Sequence, residues 1–473
     1  KIKCSLSLWR KPKSPPRKVE KKVKREKTIT TGQVYQKSGR AILELRKSMI
    51  IRNFQDLATT PQRKLTLEVA EAGLLAIDTK LAVQRLVSLQ GDKLTIENHE
   101  ITLAADQKIF VAAVGKCALK ACQKLEEILG DRLTAGVAVD IHQGTLNKIK
   151  LYAGSHPLPT NQNVDATAEI IKLLKDKTKN DLVIFVISGG GSTLLCQPNN
   201  ISCLDEGNLV SQLFHKGAAI QQINIIRKHL SLARGGYLAS YAFPAQCYSL
   251  IFSDVPGNDF GSIASGPTVL DQTTINDAKA VLEEIGLTQL EGLIETPKEP
   301  RFFEKMVNIL AVSNKTALEA MSQKSLELGL SPQIVTDTLT GEAQEVGREI
   351  VKILHSSSPG QINLYGGETT VTITGAGKGG RNQELALSSL NELLPDELIL
   401  TLASDGRDNT DHAGALVDVN TLEKSRSLGL SPKSFLESNN SYEFFEKTGD
   451  FILTNETGAN VSDLVLAFKK SLN

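Results

Sequence analysis

The sequence predicts an α/β protein of two domains, and three observations carry that prediction. Strand-like apolar runs alternate with helix-like stretches over most of the chain, as strand–loop–helix units around a sheet do. One run, Asp181–Ile187, is continuously apolar, as a strand buried on both faces of a parallel sheet must be. Five strands end in polar or glycine-rich loops, at Gly115–Lys116, Ser188–Ser192, Ser253–Asp259, Gly375–Arg381 and Ser404–Asp408. In a doubly wound fold the loops at strand C-termini form the ligand crevice.

In chain order, residues 1–30 are Lys-rich, broken by Pro12, Pro15 and Pro16, and free of apolar periodicity. They read as a disordered basic tail within an N-terminal extension over 1–53. Leu65–Leu89 carries apolar residues at helical spacing. Strands follow at Lys108–Val114, Gly136–Asp140 and Ile149–Ala153, with a helix to Leu129 and another from Ala166 to Leu174. After the apolar run come helices over 205–241 and a strand at Tyr248–Phe252. Residues 287–305, with Pro297 and Pro300, break the pattern and mark the boundary between a first domain over 54–295 and a second over 305–473. Beyond it, Val307–Val312, Gln333–Thr336, Thr369–Thr374 and Glu397–Ala403 read as strands, Lys315–Leu328 as a helix, and Thr340 as the start of another.

The composition is that of a soluble globular protein, 41% hydrophobic and 23% charged. No apolar run reaches the roughly 18 residues of a membrane span. The net charge of +1 hides an asymmetry: residues 1–27 hold twelve Lys/Arg against Glu20 and Glu26, leaving an acidic body. Nucleic-acid binding through that tail is the non-enzymatic alternative, disfavoured because lysine runs are usually just solvated. The six cysteines show no CxxC pair and no framework spacing, which favours reduced, buried thiols and a cytoplasmic location over disulfides or zinc.

The chemistry centres on Tyr365–Glu384, where glycines at 375, 377, 379 and 380 precede a helix carrying Arg381 near its start. Glycines let backbone N–H groups crowd an anion, and a helix N-terminus adds about half a positive charge. With Lys378 and Arg381 beside it, this stretch is expected to bind phosphate. Ser188, Gly189, Gly190, Gly191 and Ser192 form a second such nest. The five loops also supply Lys116 as a cation and Asp254, Glu368, Asp405 and Asp408 as carboxylates. Phosphoryl transfer needs this inventory: amides and cations for the polyphosphate, carboxylates for Mg²⁺, and a group that takes the acceptor's proton. Gly375–Gly380 also matches the dinucleotide pattern GxGxxG, with Asp405 closing the next strand, but Arg381 follows the glycines at once. No GxxxxGK[ST] loop exists, and no His-Arg-Asp or Asp-Phe-Gly sequence follows. His229 is expected to be structural or to orient substrate.

Colinear segments over roughly residues 54–470 resemble the class II glycerate kinases, whose C-terminal part is called the MOFRL domain. They are Val114–Cys117, Ser155–Pro159, Val186–Ser192, Ile223–Ser231, Ser253–Gly257, Ser265–Pro267, Gly366–Val371 and Gly379–Glu384. The resemblance implies ATP-dependent phosphorylation of D-glycerate to 2-phosphoglycerate with ATP and Mg²⁺. It also implies a Rossmann-like three-layer N-terminal domain, a smaller α/β MOFRL domain, and an active site in the cleft between them. The family's catalytic lysine and arginine fall on Lys116 and Arg381. Asp254 or Asp405 is expected to hold metal or accept the hydroxyl proton, with Asp408 as a further metal candidate. Glu368, Gly379, Gly380 and Asn382 are expected to bind substrate or phosphate. An NAD(P)H-dependent hydroxypyruvate reductase is the alternative, because some members carry that label. The oligomeric state stays open, a homodimer included.

Two loops depart from the family pattern. Ser404–Thr410 is one residue shorter than usual and lacks its proline, and Thr454–Val461 carries Glu456 where a small neutral turn is expected. Arg234 replaces a usual lysine, keeping the charge but not the geometry.

Overall fold

The computed structural model describes residues 49–287 and 290–471. The basic tail expected over 1–30 therefore lies outside the described residues. Among the described residues a single-turn helix (Phe54–Leu57) precedes two longer ones, α1 (Pro61–Ile77) and α2 (Thr79–Leu86), where the periodicity suggests one. Asp78 makes the break: it ends α1 and caps α2, its carboxylate accepting from Leu81 N at 2.9 Å. A three-stranded antiparallel sheet, β1 (Val87–Gln90), β2 (Lys93–Ile96) and β3 (His99–Thr102), follows.

The first large sheet contains β4 (Ile109–Val114), β5 (Leu133–Asp140), β6 (Ile149–Ala153), β7 (Leu182–Ser188), β8 (Gln246–Phe252) and β9 (Met306–Val312). Every pairing in it is parallel. Its spatial order is β6-β5-β4-β7-β8-β9. Counted within this sheet the order is 3-2-1-4-5-6, so the winding direction reverses between β4 and β7. Both central strands are buried along their whole length, which is why they read as continuous apolar runs. Helices α3 (Ala118–Leu129), α4 (Asn161–Leu174), α5 (Cys203–His215), α6 (Ile220–His229) and α7 (Ile275–Ile285) connect its strands.

The second sheet joins β10 (Ser331–Leu339), β11 (Gln361–Gly367), β12 (Glu397–Ala403), β13 (Gly414–Asp418), β14 (Phe451–Ile452) and β15 (Asp463–Lys469) in the order β10-β11-β15-β12-β13-β14. Only β10 and β11 are parallel; the other pairings are antiparallel. Helices α8 (Asn314–Glu327), α9 (Ala343–His355) and α10 (Arg381–Ser389) accompany it. The chain is thus mixed α/β with two sheet-centred domains.

Two expectations are corrected. The strand expected at Thr369–Thr374 is absent, because β11 ends at Gly367 and only Thr370 makes an isolated bridge, to Glu342. The helix expected from Thr340 begins at Ala343. The break expected over 287–305 lies just ahead of β9. β9 pairs with β8 and completes the first sheet, while α1 packs on α8 against β12 and β15 of the second. Arg63 of α1 anchors that contact, donating from Nε to Asp418 at 2.8 Å and pairing with Asp450 at 2.7 Å, all three buried.

Candidate active site

The first group of site residues gathers where β4 and β7 diverge, the point at which open α/β sheets bind ligands. Gly115 has φ +119°, and a Cβ there would lie 2.1 Å from Ser188 Oγ. Lacking one, the two strand ends interlock: Lys116 N donates to Gly189 O at 3.0 Å and Cys117 N to Ser188 Oγ at 3.3 Å. The Lys116 side chain runs past Gly190, whose added Cβ would meet its Cγ at 3.2 Å. An added Cβ on Gly189 would lie 2.1 Å from Asp254 Oδ2. These glycines therefore let a cation and a carboxylate close on one stretch of backbone. Burial pushes the Asp254 carboxyl above the ordinary aspartate range, and Lys116 pulls the other way.

Ser192 is tied beneath this loop, its Oγ 2.9 Å from Ser265 Oγ, which in turn donates to Asn224 Oδ1 at 3.0 Å. Two cavities open on either side of Gly189. One, of about 170 Å³, is lined by Lys116, Ser188, Asp405, Arg407 and Asn460. The other, of about 460 Å³, is lined by His156, Ser192, Asn224, Arg227 and Asp254.

The second group lies on the β11, β12 and β15 ends. Arg381 opens α10, donating from Nε to Asp463 Oδ2 at 2.5 Å and from Nη2 to Asp463 Oδ1 at 3.0 Å. Its Nη1 pairs with Glu368 at 2.6 Å. Two carboxylates thus hold the guanidinium, raising its pKa and fixing its charge. The Asp463 side chain is 5% exposed and that of Glu368 is 50% exposed, so Glu368 is the more accessible of the two partners. Asp405 accepts from Arg407 N at 3.0 Å and faces both the small cavity and one of about 530 Å³ that also reaches Glu368 and Arg381.

In the loop expected to bind phosphate, Gly375, Gly377 and Lys378 give their amides to protein, while Gly379 and Gly380 line the cavity of about 530 Å³. Asn439 Oδ1 accepts from Thr374 N at 2.7 Å and Gly375 N at 2.8 Å, and Asn440 Oδ1 accepts from Lys378 N at 3.2 Å. The Lys378 ammonium sits 3.9 Å from the Tyr442 ring centroid. The α10 N-terminus is occupied too. Asp408, fully buried, accepts from Asn382 N at 3.1 Å and Gln383 N at 2.8 Å, and also takes the Asn382 side-chain amide. Burial pushes its carboxyl up to about 6. Asp408 thus caps α10, and Asn382 donates to it from both its backbone and its side chain. Among the described residues no group of three or more His, Cys, Asp or Glu is placed to hold a metal ion.

The residues missed from sequence join the two groups. Ser462 Oγ donates to Asp254 O at 3.2 Å, and the next residue is Asp463, which holds Arg381. Their signal was the apolar run Leu464–Phe468, a buried strand that begins where the polar loop ends. Glu456 pairs with Arg407 at 2.9 Å and with His142 at 3.0 Å, and His142 reaches Asp140 at 2.9 Å. The departing residue in the 454–461 loop thus bridges the two domains beside the small cavity. His229 is structural, its ring held by Ile294 O at 3.0 Å and Thr273 Oγ1 at 3.2 Å. The five described cysteines are free and buried, as expected.

Residues 65–296 match a domain of unknown function (DUF4147), and residues 361–463 match the MOFRL family. The chain is 36% identical to a glycerate 2-kinase of Pyrococcus horikoshii over 86% of its own length and 98% of the relative's. The chain belongs to the MOFRL family of glycerate 2-kinases. A D-glycerate 2-kinase of Thermotoga maritima is 34% identical over 85% of this chain and 97% of that relative. The crystal structure of a Thermotoga maritima glycerate kinase superposes with a TM-score of 0.78 at 32% identity, covering 86% of this chain and 99% of that one. Family membership thus spans both domains, including β15, which links the two groups of site residues. Among the described residues no helix is long and apolar enough to cross a membrane.

Proposed function

We propose that this chain transfers the γ-phosphoryl group of ATP to the 2-hydroxyl of D-glycerate. One observation carries the reading: Asp254 closes on Gly189 and Lys116 on Gly190 at the switch point of the first sheet, with a cavity on each side. Family membership supplies the substrate class. A Rossmann-like first domain, a MOFRL second domain and a cleft between them are part of the proposal, as is a cytoplasmic location suited to reduced thiols.

Asp254, raised by burial, accepts the proton of the attacking hydroxyl as the oxygen–phosphorus bond forms and the bond to ADP breaks. Lys116 stabilises charge gathering on the transferring group, and the amides of Ser188–Gly190 orient it. Arg381, held by Asp463, meets the phosphates from the other side once Glu368 yields. Asp405 fits a nucleotide-borne Mg²⁺: its carboxylate takes a single backbone N–H and faces two cavities, and Mg²⁺ commonly binds one or two carboxylates plus phosphate oxygens. Charge neutralisation at the phosphates is what such an ion supplies.

The test is ADP release by purified protein. It should require D-glycerate and a divalent metal, and Lys116→Ala and Arg381→Ala should each lose on the order of 100-fold or more in kcat. Lys116→Ala should melt like wild type, whereas Arg381→Ala strips buried Asp463 of its partner and should melt lower, so its kcat is read at a temperature where it is folded. Oxidation of NAD(P)H by hydroxypyruvate with no ATP consumed would install the reductase instead.

A further inference from the structure

The larger cavity beside Gly189 holds a cation that the phosphoryl-transfer reading leaves unused. Arg227, on α6, lines it together with Asn224, Ser192, His156 and Asp254. Next to it, Arg234 is fully buried and pairs with Glu206 at 2.6 Å. Two guanidinium groups therefore share one carboxylate, and Arg234 has it. Among the described residues Arg227 makes no ion pair, and its buried Nε has no hydrogen-bond partner. Burial and the Arg234 charge pull its pKa down to about 10, so the protein holds this cation at a cost that the nearby Glu206 only partly offsets.

A second, independent observation lies one helical turn away. Asn224 is 7% exposed, and its Oδ1 takes the Ser265 hydroxyl proton. Because Ser265 has only that one proton to give, Ser192 is the donor in the 2.9 Å Ser192–Ser265 bond. The chain Ser192–Ser265–Asn224 thus runs in one direction and fixes the amide, leaving its NH₂ group facing the cavity with no acceptor among the described residues. Asn224 and Arg227 lie three apart on α6, the spacing that puts side chains on one helix face. The cavity presents unpartnered donors on the α6 side and, across it, a raised carboxyl at Asp254.

We infer that Arg227 and Asn224 form a carboxylate subsite that takes the acid end of a 2-hydroxy acid, with the adjacent hydroxyl turned to Asp254. The inference rests on the proposed kinase reading for its acceptor and adds how that acceptor is chosen. A carboxylate bound by a guanidinium and an amide NH₂ satisfies every donor left open there. It also explains regiochemistry: in such an acid the hydroxyl next to the carboxylate reaches Asp254 before the terminal one. The small cavity on the Lys116 side is left for the phosphoryl donor.

The test compares wild type with Arg227→Gln, Arg227→Lys and Asn224→Ala, reading steady-state kinetics and calorimetric titration of D-glycerate without nucleotide. Arg227→Gln should raise KM for D-glycerate about 100-fold, with kcat falling far less and KM for ATP holding. Its preference for D-glycerate over the uncharged glyceramide should fall by a similar factor. Arg227→Lys, which keeps charge but loses the planar fork, and Asn224→Ala should each raise KM about 10-fold. Removing Arg227 relieves repulsion with Arg234, so folding should survive; if it does not, the other two variants decide alone. Folded variants that keep wild-type KM and still discriminate against glyceramide overturn the subsite while leaving the kinase reading in place. Arg227-dependent binding of D-glycerate or L-lactate without phosphoryl transfer leaves the subsite standing and removes the kinase reading. A wild-type protein that binds neither acid overturns the subsite.

Discussion

Two glycine-rich loops follow strands in this chain, and their glycines serve opposite ends. At Ser188–Ser192 they let Lys116 and Asp254 close on the backbone and leave cavities on both sides. At Gly375–Gly380 they let protein close on protein. Cβ atoms there would meet the Ser438 backbone, Asn440 Cβ, Ser441 Oγ and the Asp408 carboxyl at 2.6 Å or less. The second loop has more glycines, two flanking cations and a longer helix behind it, yet Asn439 and Asn440 take the amides of Gly375 and Lys378, and Asp408 takes those of Asn382 and Gln383 in the helix. A glycine pattern reports that something approaches the backbone closely; it does not report whether that something is a ligand.

Substitutions can break this contrast. The largest effect is expected from Asp254→Asn, which removes the proton acceptor and should lower kcat on the order of 10²–10⁴-fold with the fold intact. Gly189→Ala comes next: its Cβ would displace the Asp254 carboxyl, and a misplacement of that size should cost about 10²-fold in kcat/KM. Gly380→Ala should behave differently. Its Cβ would lie 2.3 Å from Asp408 Oδ1, so it should destabilise the fold by about 1–3 kcal/mol in denaturant titration while folded protein keeps most of its turnover. If Gly380→Ala abolishes turnover without loss of stability, the contrast fails. The smallest effect is on the pH profile. With the Asp254 carboxyl raised, kcat/KM should fall on acidification at a pH above the ordinary aspartate range. Lys116 stabilises the ionised form, so the residual activity of Lys116→Met should show that limb at still higher pH.

The central strands were legible because each is apolar throughout, as burial on two faces demands; β4, β7 and β8 were placed within two residues. So were Lys116 and Asp254, which stand at strand ends where a doubly wound sheet puts its ligands. What could not be read was long-range. Thr369–Thr374 is β-branched and looks like a strand, but propensity supplies no pairing partner, and β11 instead finds β10 and β15 on its two edges. Neither the Asp408 cap on α10 nor the Asp463 clamp on Arg381 is visible from spacing, since each joins residues 26 or more apart. The same holds for α1, which precedes the first sheet yet packs with the second through Arg63.

The central claim is a chemical one, and proton-coupled phosphorus NMR of the reaction with ATP and D-glycerate tests it most directly. Phosphate on C2 couples to one vicinal proton and phosphate on C3 to two. The account predicts a new phosphomonoester doublet growing as the γ-phosphate signal of ATP declines. A triplet, or an unchanged ATP spectrum from folded protein supplied with Mg²⁺, would contradict it.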